Sequence, residues 1–153
     1  MKISTIWPGK TRNQQLRGLE DDYLNRVNRF NRVERVILAE SRETNAARRT
    51  AAETAGFLNY LSTGDGPIQM DEGGKQMTSR EFAGFIEKKL TYGSLNPVFL
   101  VGGENGFGKK IREKGFESIS LSPMTLTHEW ARCLLLEQLY RAFTIIRNIR
   151  YQR

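Results

Sequence analysis

Short runs of β-branched and aromatic residues alternate along this chain with longer segments of helical periodicity. Leu16, Leu19 and Tyr23, for example, recur at spacings of three and four residues, which marks one face of a helix. Residues 97–101 instead form a continuous apolar run, typical of a strand that is covered on both faces. Strands that alternate with helices predict an α/β fold with a mostly parallel sheet and helices on both faces.

The pattern places each predicted element. Strands are predicted over residues 3–7, 33–39, 67–71, 97–101 and 118–121. Helices are predicted over residues 12–30, 43–61, from Thr78 or Ser79 onward, near 109–114, and from about 129 to 148. Because no linker or repeat interrupts this pattern, we expect a single domain over residues 1–153. Ligands of open parallel sheets bind beyond the carboxyl ends of the strands, so the loops after Asp71, Val101 and Leu121 are the candidate site.

Charge is high and unevenly distributed. The chain has 24 Lys and Arg against 17 Asp and Glu, a formal net charge of +7. After Glu137 the charged residues are all basic: Arg141, Arg147, Arg150 and Arg153. This distribution favours a polyanionic partner, and we assign Arg141, Arg147 and Arg150 to RNA binding. A solvated basic surface without a partner is the alternative.

Cysteine, histidine and hydropathy exclude several classes of protein. A single cysteine, Cys133, excludes an internal disulfide framework, and with one histidine it also excludes a structural zinc site. We therefore expect no metal, and we interpret Cys133 as a core residue of an apolar helix. No apolar run approaches the length of a membrane helix, and residues 1–8 lack a signal-peptide core. We expect a soluble cytoplasmic protein that does not bind membranes.

Two loops carry the candidate ligand chemistry. Residues 100–110 nearly spell a phosphate-binding P-loop, but Lys110 stands where that motif needs a hydroxyl, which argues against an NTPase. The Gly102–Gly103 pair still allows a backbone to approach a ligand closely. Residues 120–128 are nearly uncharged, with hydroxyls among apolar residues, which suits an adenine or a thioether. Capping of the next helix by Thr125 or Thr127 is the simpler interpretation.

The last helix carries two further candidates and an oligomerisation signal. His128 and Arg132 are four residues apart and share one face, where His128 is either structural or catalytic and Arg132 needs an anionic partner. From Trp130 to Ile146, 12 of 17 residues are apolar or aromatic. A helix this apolar needs cover on two sides, one of which can be its own sheet and the other a second subunit, so we predict a homodimer through it. A central helix within a monomer is the alternative.

Taken together, four motifs resemble a known family. They are residues 99–106, the pattern Ser122-x-x-Thr125-x-x-His128-x-x-x-Arg132, the run at 137–142, and Asn148-x-x-Tyr151. In order and spacing they resemble the SPOUT-class methyltransferases that modify N3 of a pseudouridine in large-subunit ribosomal RNA. The resemblance implies a C-terminal trefoil knot, a homodimer, and S-adenosyl-L-methionine as cofactor, with ribosomal RNA or the assembled ribosome as partner.

The resemblance also assigns roles to residues. It places the cofactor on Met70, Gly102, Gly103, Leu121, Ser122, Pro123, Met124, Thr125, Leu126 and Thr127. It places catalysis on Arg132, Tyr151, Arg153 and His128, with the tail of one subunit near the cofactor of the other. In this arrangement Tyr151 packs on the target base, Arg150 and Arg153 hold phosphates, and Arg132 orients the reacting group or the cofactor carboxylate.

This sequence departs from the family pattern in the tail and in the glycine loop. Ile149 and Gln152 stand where the family has histidines, and Glu104 and Asn105 replace its loop proline. Two alternatives therefore stay open: a catalytically silent RNA-binding relative that keeps the cofactor pocket, and a methyltransferase of this class that acts on another RNA.

Overall fold

A sheet of parallel strands forms the centre of the chain in a computed structural model, which describes residues 1–151. The described strands are β1 (Ile3–Pro8), β2 (Val33–Leu38), β3 (Asp65–Gln76), β4 (Asn96–Val101) and β5 (Glu117–Ser120). The described helices are α1 (Gln14–Val27), α2 (Ala46–Tyr60), α3 (Ser79–Tyr92), α4 (Lys109–Arg112) and α5 (His128–Ile146). The role predicted for Arg153 falls outside the described residues.

The strand order is β2-β1-β4-β3-β5, and every neighbouring pair is parallel. Alternate residues of β4 point to opposite faces: Phe99 packs in the core under α1, α3 and α5, whereas Val98 and Leu100 pack with residues of α2 and α4. The predicted α/β fold, with a mostly parallel sheet and helices on both faces, is confirmed. The trefoil knot stays a prediction.

Side-chain caps set where the helices begin. Asn13 and Asn45 accept hydrogen bonds from the backbone of the first turns of α1 and α2, which start later than the periodicity predicts. Thr78 and Glu81 form a reciprocal capping box at α3. Thr127 caps α5 by accepting from the amide of Trp130, so the capping interpretation of this residue is correct.

Strand β3 is longer than the predicted strand over residues 67–71, and it contains a bulge. Met70 and Lys75 both align with Ile119 of β5, so residues 71–74 bulge out before the strand resumes. A Cβ on Gly74 would lie 2.7 Å from the backbone nitrogen of Ile119, so only glycine fits where the strand returns. The bulge lies at the carboxyl end of the first half of the strand, where it borders the candidate site.

Helix α5 lies between α1 and α3, against which it makes its main helix contacts. Leu135, Leu136 and Leu139 are completely buried within one chain. The expectation that a second subunit provides the other side of its cover is therefore wrong, because α1 and α3 provide that layer. The homodimer stays a prediction, but the need to cover α5 no longer supports it. Within residues 1–151 no helix is long and apolar enough to cross a bilayer.

Candidate active site

A cavity of about 630 Å³ opens where β3, β4 and β5 end. Nine of the ten predicted cofactor residues line it: Met70, Gly102, Gly103, Leu121, Ser122, Met124, Thr125, Leu126 and Thr127. Pro123 lies in the same loop and is exposed, but it does not line the cavity. The structure thus brings together loops that are as far as 50 residues apart in the chain.

One wall of the cavity is a tight glycine turn after β4. The amide of Gly106 donates to the carbonyl of Gly103 at 3.0 Å, and Gly106 has a φ of 70°, in the left-handed region. A Cβ on Gly102 would lie 3.0 Å from the carbonyl carbon of Gly106. A side chain at this position would push the two arms of the turn apart, so this turn requires glycine at 102.

The β3 bulge ties the other walls together. Both carboxylate oxygens of Asp71 accept from Arg112 of α4, at 3.1 and 3.3 Å. The neighbouring Glu72 accepts a hydrogen bond from the hydroxyl of Thr125 at 2.8 Å. All four side chains line the cavity. Sequence reasoning missed Glu72 and Arg112. For Glu72 the available signal is the Gly73–Gly74 pair that follows it just after the predicted strand, and for Arg112 the sequence offers none.

His128 lines the cavity as the first residue of α5. Burial, reinforced by the positive charge of Arg132, lowers the pKa of His128 below its usual value. The imidazole is therefore neutral at neutral pH, and a neutral imidazole can accept a proton. The structure brings this predicted catalytic residue to the cavity.

Arg132 is almost completely buried and does not line the cavity. Its guanidinium donates to the carbonyl of Pro8 at 2.9 Å and to the hydroxyl of Thr11 at 3.0 Å. Thr11 in turn donates to the buried carboxylate of Glu20. The anionic partner that the sequence predicts for Arg132 is thus Glu20, reached through Thr11. Arg132 fixes the loop after β1 to α5. The resemblance implies that Arg132 contacts the reacting group or the cofactor, but within the described chain it does not line the cavity.

The tail folds back onto α1 and α5. Asn148 has a φ of 52° and ends α5 with a left-handed turn, in which the amide of Ile149 donates to the carbonyl of Thr144 at 2.8 Å. The ring of Tyr151 then packs edge-on against Tyr140, with centroids 4.8 Å apart. Burial raises the pKa of the Tyr151 hydroxyl.

Tail and cavity are separated within one chain. Tyr151, Arg141 and Arg150 line a second cavity, which shares no described residue with the first. His128 and Thr144, at the two cavities, are 16 residues apart on α5, or about 24 Å at 1.5 Å per residue. Arg147 is exposed and lines neither cavity. The structure therefore does not bring the predicted tail residues to the cofactor residues of the same chain.

Cys133 has the environment of a core residue. Its thiol is buried and lies 3.2 Å from the carbonyl of Leu16, to which it donates. Burial raises the pKa of Cys133 to about 11, so the reactive thiolate is rare at neutral pH. Among the residues that the structure describes, no group of three or more His, Cys, Asp or Glu side chains is placed to hold a metal ion.

Comparison with known proteins identifies the family. The family described as "Predicted SPOUT methyltransferase" matches residues 1–152. "Ribosomal RNA large subunit methyltransferase H" of Geotalea daltonii is 40% identical, covering 99% of both chains. The protein of the same name from Citrifermentans bemidjiense is 38% identical, covering 95% of both. The chain therefore belongs to the SPOUT methyltransferase family, and the prediction of a methyltransferase is confirmed.

Similarity to solved structures is more distant than similarity to these relatives. A methyltransferase from Legionella pneumophila, solved in complex with the bound cofactor SAM, aligns with a TM-score of 0.47 and 14% identity. The alignment covers 91% of this chain and 65% of that chain, which is less than two thirds of its length. This likeness is too distant to support an argument about the site.

Replacing Arg132 by Leu is expected to destabilise the chain. The change removes the buried hydrogen bonds that Arg132 donates to Pro8 and Thr11, whereas Glu20 keeps its ion pair with Arg35 at 3.2 Å, so the expected loss is about 1–3 kcal/mol in the free energy of unfolding. Urea denaturation measures this loss. The matched control is Arg32→Leu, which breaks an exposed pair with Glu34 and should change stability little. Equal losses in the two variants would contradict the structural role of Arg132.

His128 is expected to make stability depend on pH. Since its folded-state pKa is lowered, the folded chain binds this proton less readily than the unfolded chain. The stabilisation is present above the unfolded pKa of about 6.5 and is lost as pH falls through the lowered folded value. Thermal unfolding of wild type and His128→Gln between about pH 7.5 and about pH 5.5 tests this. The variant should lose less stability on acidification, and parallel curves for the two proteins would disprove the assignment.

Proposed function

We propose that the first cavity binds S-adenosyl-L-methionine and that the chain methylates N3 of a pseudouridine in large-subunit ribosomal RNA. The observation that supports this most is the convergence of nine predicted cofactor residues on one cavity at three adjacent strand ends. The full-length relatives carry a name that states ribosomal RNA methylation. In this proposal the protein acts in the cytoplasm, where ribosomes are.

The residues present fit this cofactor in size and chemistry. A volume of about 630 Å³ lies within the range of small-molecule pockets. Met70, Val101 and Leu121 give apolar surface, and the glycine turn gives backbone amides and carbonyls. The acidic lining residues Asp71, Glu72 and Glu104 outnumber the single arginine, Arg112, which favours a cationic ligand. When bound, the cofactor supplies a methyl group on a positively charged sulfonium.

The chain's own residues then position the reactants and manage one proton. The glycine turn and the loop from Leu121 to Thr127 hold the cofactor, so that catalysis depends mainly on orientation. Transfer to N3 of the base releases the proton that N3 carried. We infer that His128, neutral and half-buried at the cavity wall, accepts this proton, since Ile149 and Gln152 stand where the family has tail histidines.

A second copy of the chain completes the site in this proposal. Tyr151 and Arg150 lie at the second cavity, beyond reach of the first cavity in their own chain. They contribute to methyl transfer only if a partner subunit brings its tail to the cofactor. Met124 lines the first cavity and is 75% exposed, and Trp130, two residues after His128, is 50% exposed, so both offer apolar surface for that partner.

Cofactor binding is expected to depend on the glycine turn. Calorimetry with S-adenosylhomocysteine should show saturable binding by the wild-type chain. Gly102→Val should weaken it by at least about tenfold, about 1.4 kcal/mol, because the new side chain meets the backbone of Gly106. Gly84→Val is the matched control, since a Cβ at Gly84 meets nothing within 4 Å. An unmodified chain that binds no S-adenosylhomocysteine would rule out this cavity as the cofactor site.

Methyl transfer to ribosomes separates the proposal from its alternatives. Incubation with radiolabelled cofactor and ribosomes that lack the modification should label the large-subunit RNA. His128→Gln should lower the rate by about tenfold to a hundredfold and change the pH profile, because it removes the proton acceptor. Labelling of another RNA indicates a different substrate. No labelling by the wild-type chain, followed by labelling after Ile149→His and Gln152→His, identifies a silent relative.

A further inference from the structure

The second cavity, of about 760 Å³, lies between the start of α3, the end of α5 and the tail. Three arginines line it, Arg80 from α3, Arg141 from α5 and Arg150 from the tail. None of the described lining residues is acidic. This contrasts with the first cavity, where acidic lining residues outnumber basic ones, so the charges at the two cavities favour ligands of opposite sign.

Arg141 is held in place before any ligand arrives. Its guanidinium donates twice to Oε1 of Glu137, at 2.6 and 3.0 Å, and it lies over the ring of Tyr151 at 4.6 Å. Because Glu137 compensates its charge, the positive field at this cavity comes mainly from Arg80 and Arg150. Both are exposed, so their guanidinium groups are accessible to a ligand.

Two of the hydroxyl groups at this cavity already donate to the protein. Ser79 donates to Oε1 of Gln138 at 2.8 Å, and Thr144 donates to the carbonyl of Arg141 at 2.7 Å. The exposed guanidinium groups of Arg80 and Arg150 are therefore the charged donors that this cavity offers to a ligand. A guanidinium presents paired N–H groups that match the oxygens of a phosphate, which accepts hydrogen bonds and donates none when ionised.

We infer that the second cavity binds backbone phosphates of the RNA substrate, with Arg80 as a contact residue alongside Arg150. This inference rests on the proposed function for the identity of the anion. Arg80 belongs to no basic run in the sequence and joins the tail arginines only through the fold. Arg147 belongs to the basic run after Glu137, but it does not line the cavity. The structure thus separates arginines that the sequence alone treats alike.

The test compares these arginines in one binding assay. A fluorescein-labelled stem-loop of large-subunit ribosomal RNA is titrated with the full chain, and fluorescence anisotropy reports binding at several salt concentrations. Arg80→Gln and Arg150→Gln should each weaken binding by about tenfold and reduce the slope of log affinity against log salt by about one. Arg80→Lys, which keeps the charge, should restore most of the slope. Arg147→Gln, the matched control, should change both quantities much less.

A second readout separates this inference from the proposed function. Each variant is also titrated with S-adenosylhomocysteine, and an unchanged affinity shows that the chain is folded and the first cavity intact. If the cofactor analogue binds and Arg80→Gln weakens RNA binding no more than Arg147→Gln, the inference is wrong and the proposed cofactor site stands. If the wild-type chain binds the cofactor analogue but no RNA, the inference is also wrong and the proposed cofactor site stands. If RNA binding follows the expected order but no cofactor analogue binds, the proposed function fails and the phosphate site stands.

Discussion

The position of β3 between β4 and β5 is the constraint on which the candidate site depends. Parallel pairing on both sides of β3 makes three strands end at the same edge of the sheet. Because each strand then continues into a loop, three segments distant in sequence meet there without further contacts. The same sheet is covered on both faces, so this edge is where backbone and polar side chains are available to a ligand.

Local devices shape that edge into a cavity. The four extra residues of the β3 bulge carry Asp71 and Glu72 outward, where they bind Arg112 and Thr125 and so connect α4 with the loop before α5. Next to the cavity, Arg132 of α5 and Glu20 of α1 hold the loop after β1 through Thr11. The first turn of α5 therefore offers His128 to the cavity, while Arg132, one turn further on, fixes a loop of the scaffold.

Much of this arrangement could be predicted from the sequence, and the remainder has physical reasons. The alternation of short apolar runs with segments of helical periodicity predicts the strands and helices. The rule that ligands bind beyond the carboxyl ends of parallel strands predicts which loops form the cavity. The sequence pattern predicts a shorter strand at β3, because the residues after the bulge are polar and rich in glycine. Pairing with β5 makes these residues part of the strand. The cover of α5 by α1 and α3 was missed because periodicity shows that a helix needs cover but not which element provides it. Arg132 shows the same limit, since its partner Glu20 is 112 residues away in the chain.

The central claim is that this chain methylates a nucleotide of large-subunit ribosomal RNA. Mass spectrometry of that RNA, isolated from cells with and without the gene and digested to nucleosides, tests it most directly. We expect N3-methylated pseudouridine in the parent strain, its loss from the deletion strain, and its return with the wild-type gene but not with the Gly102→Val variant. Identical nucleoside profiles from the parent and deletion strains would contradict the claim.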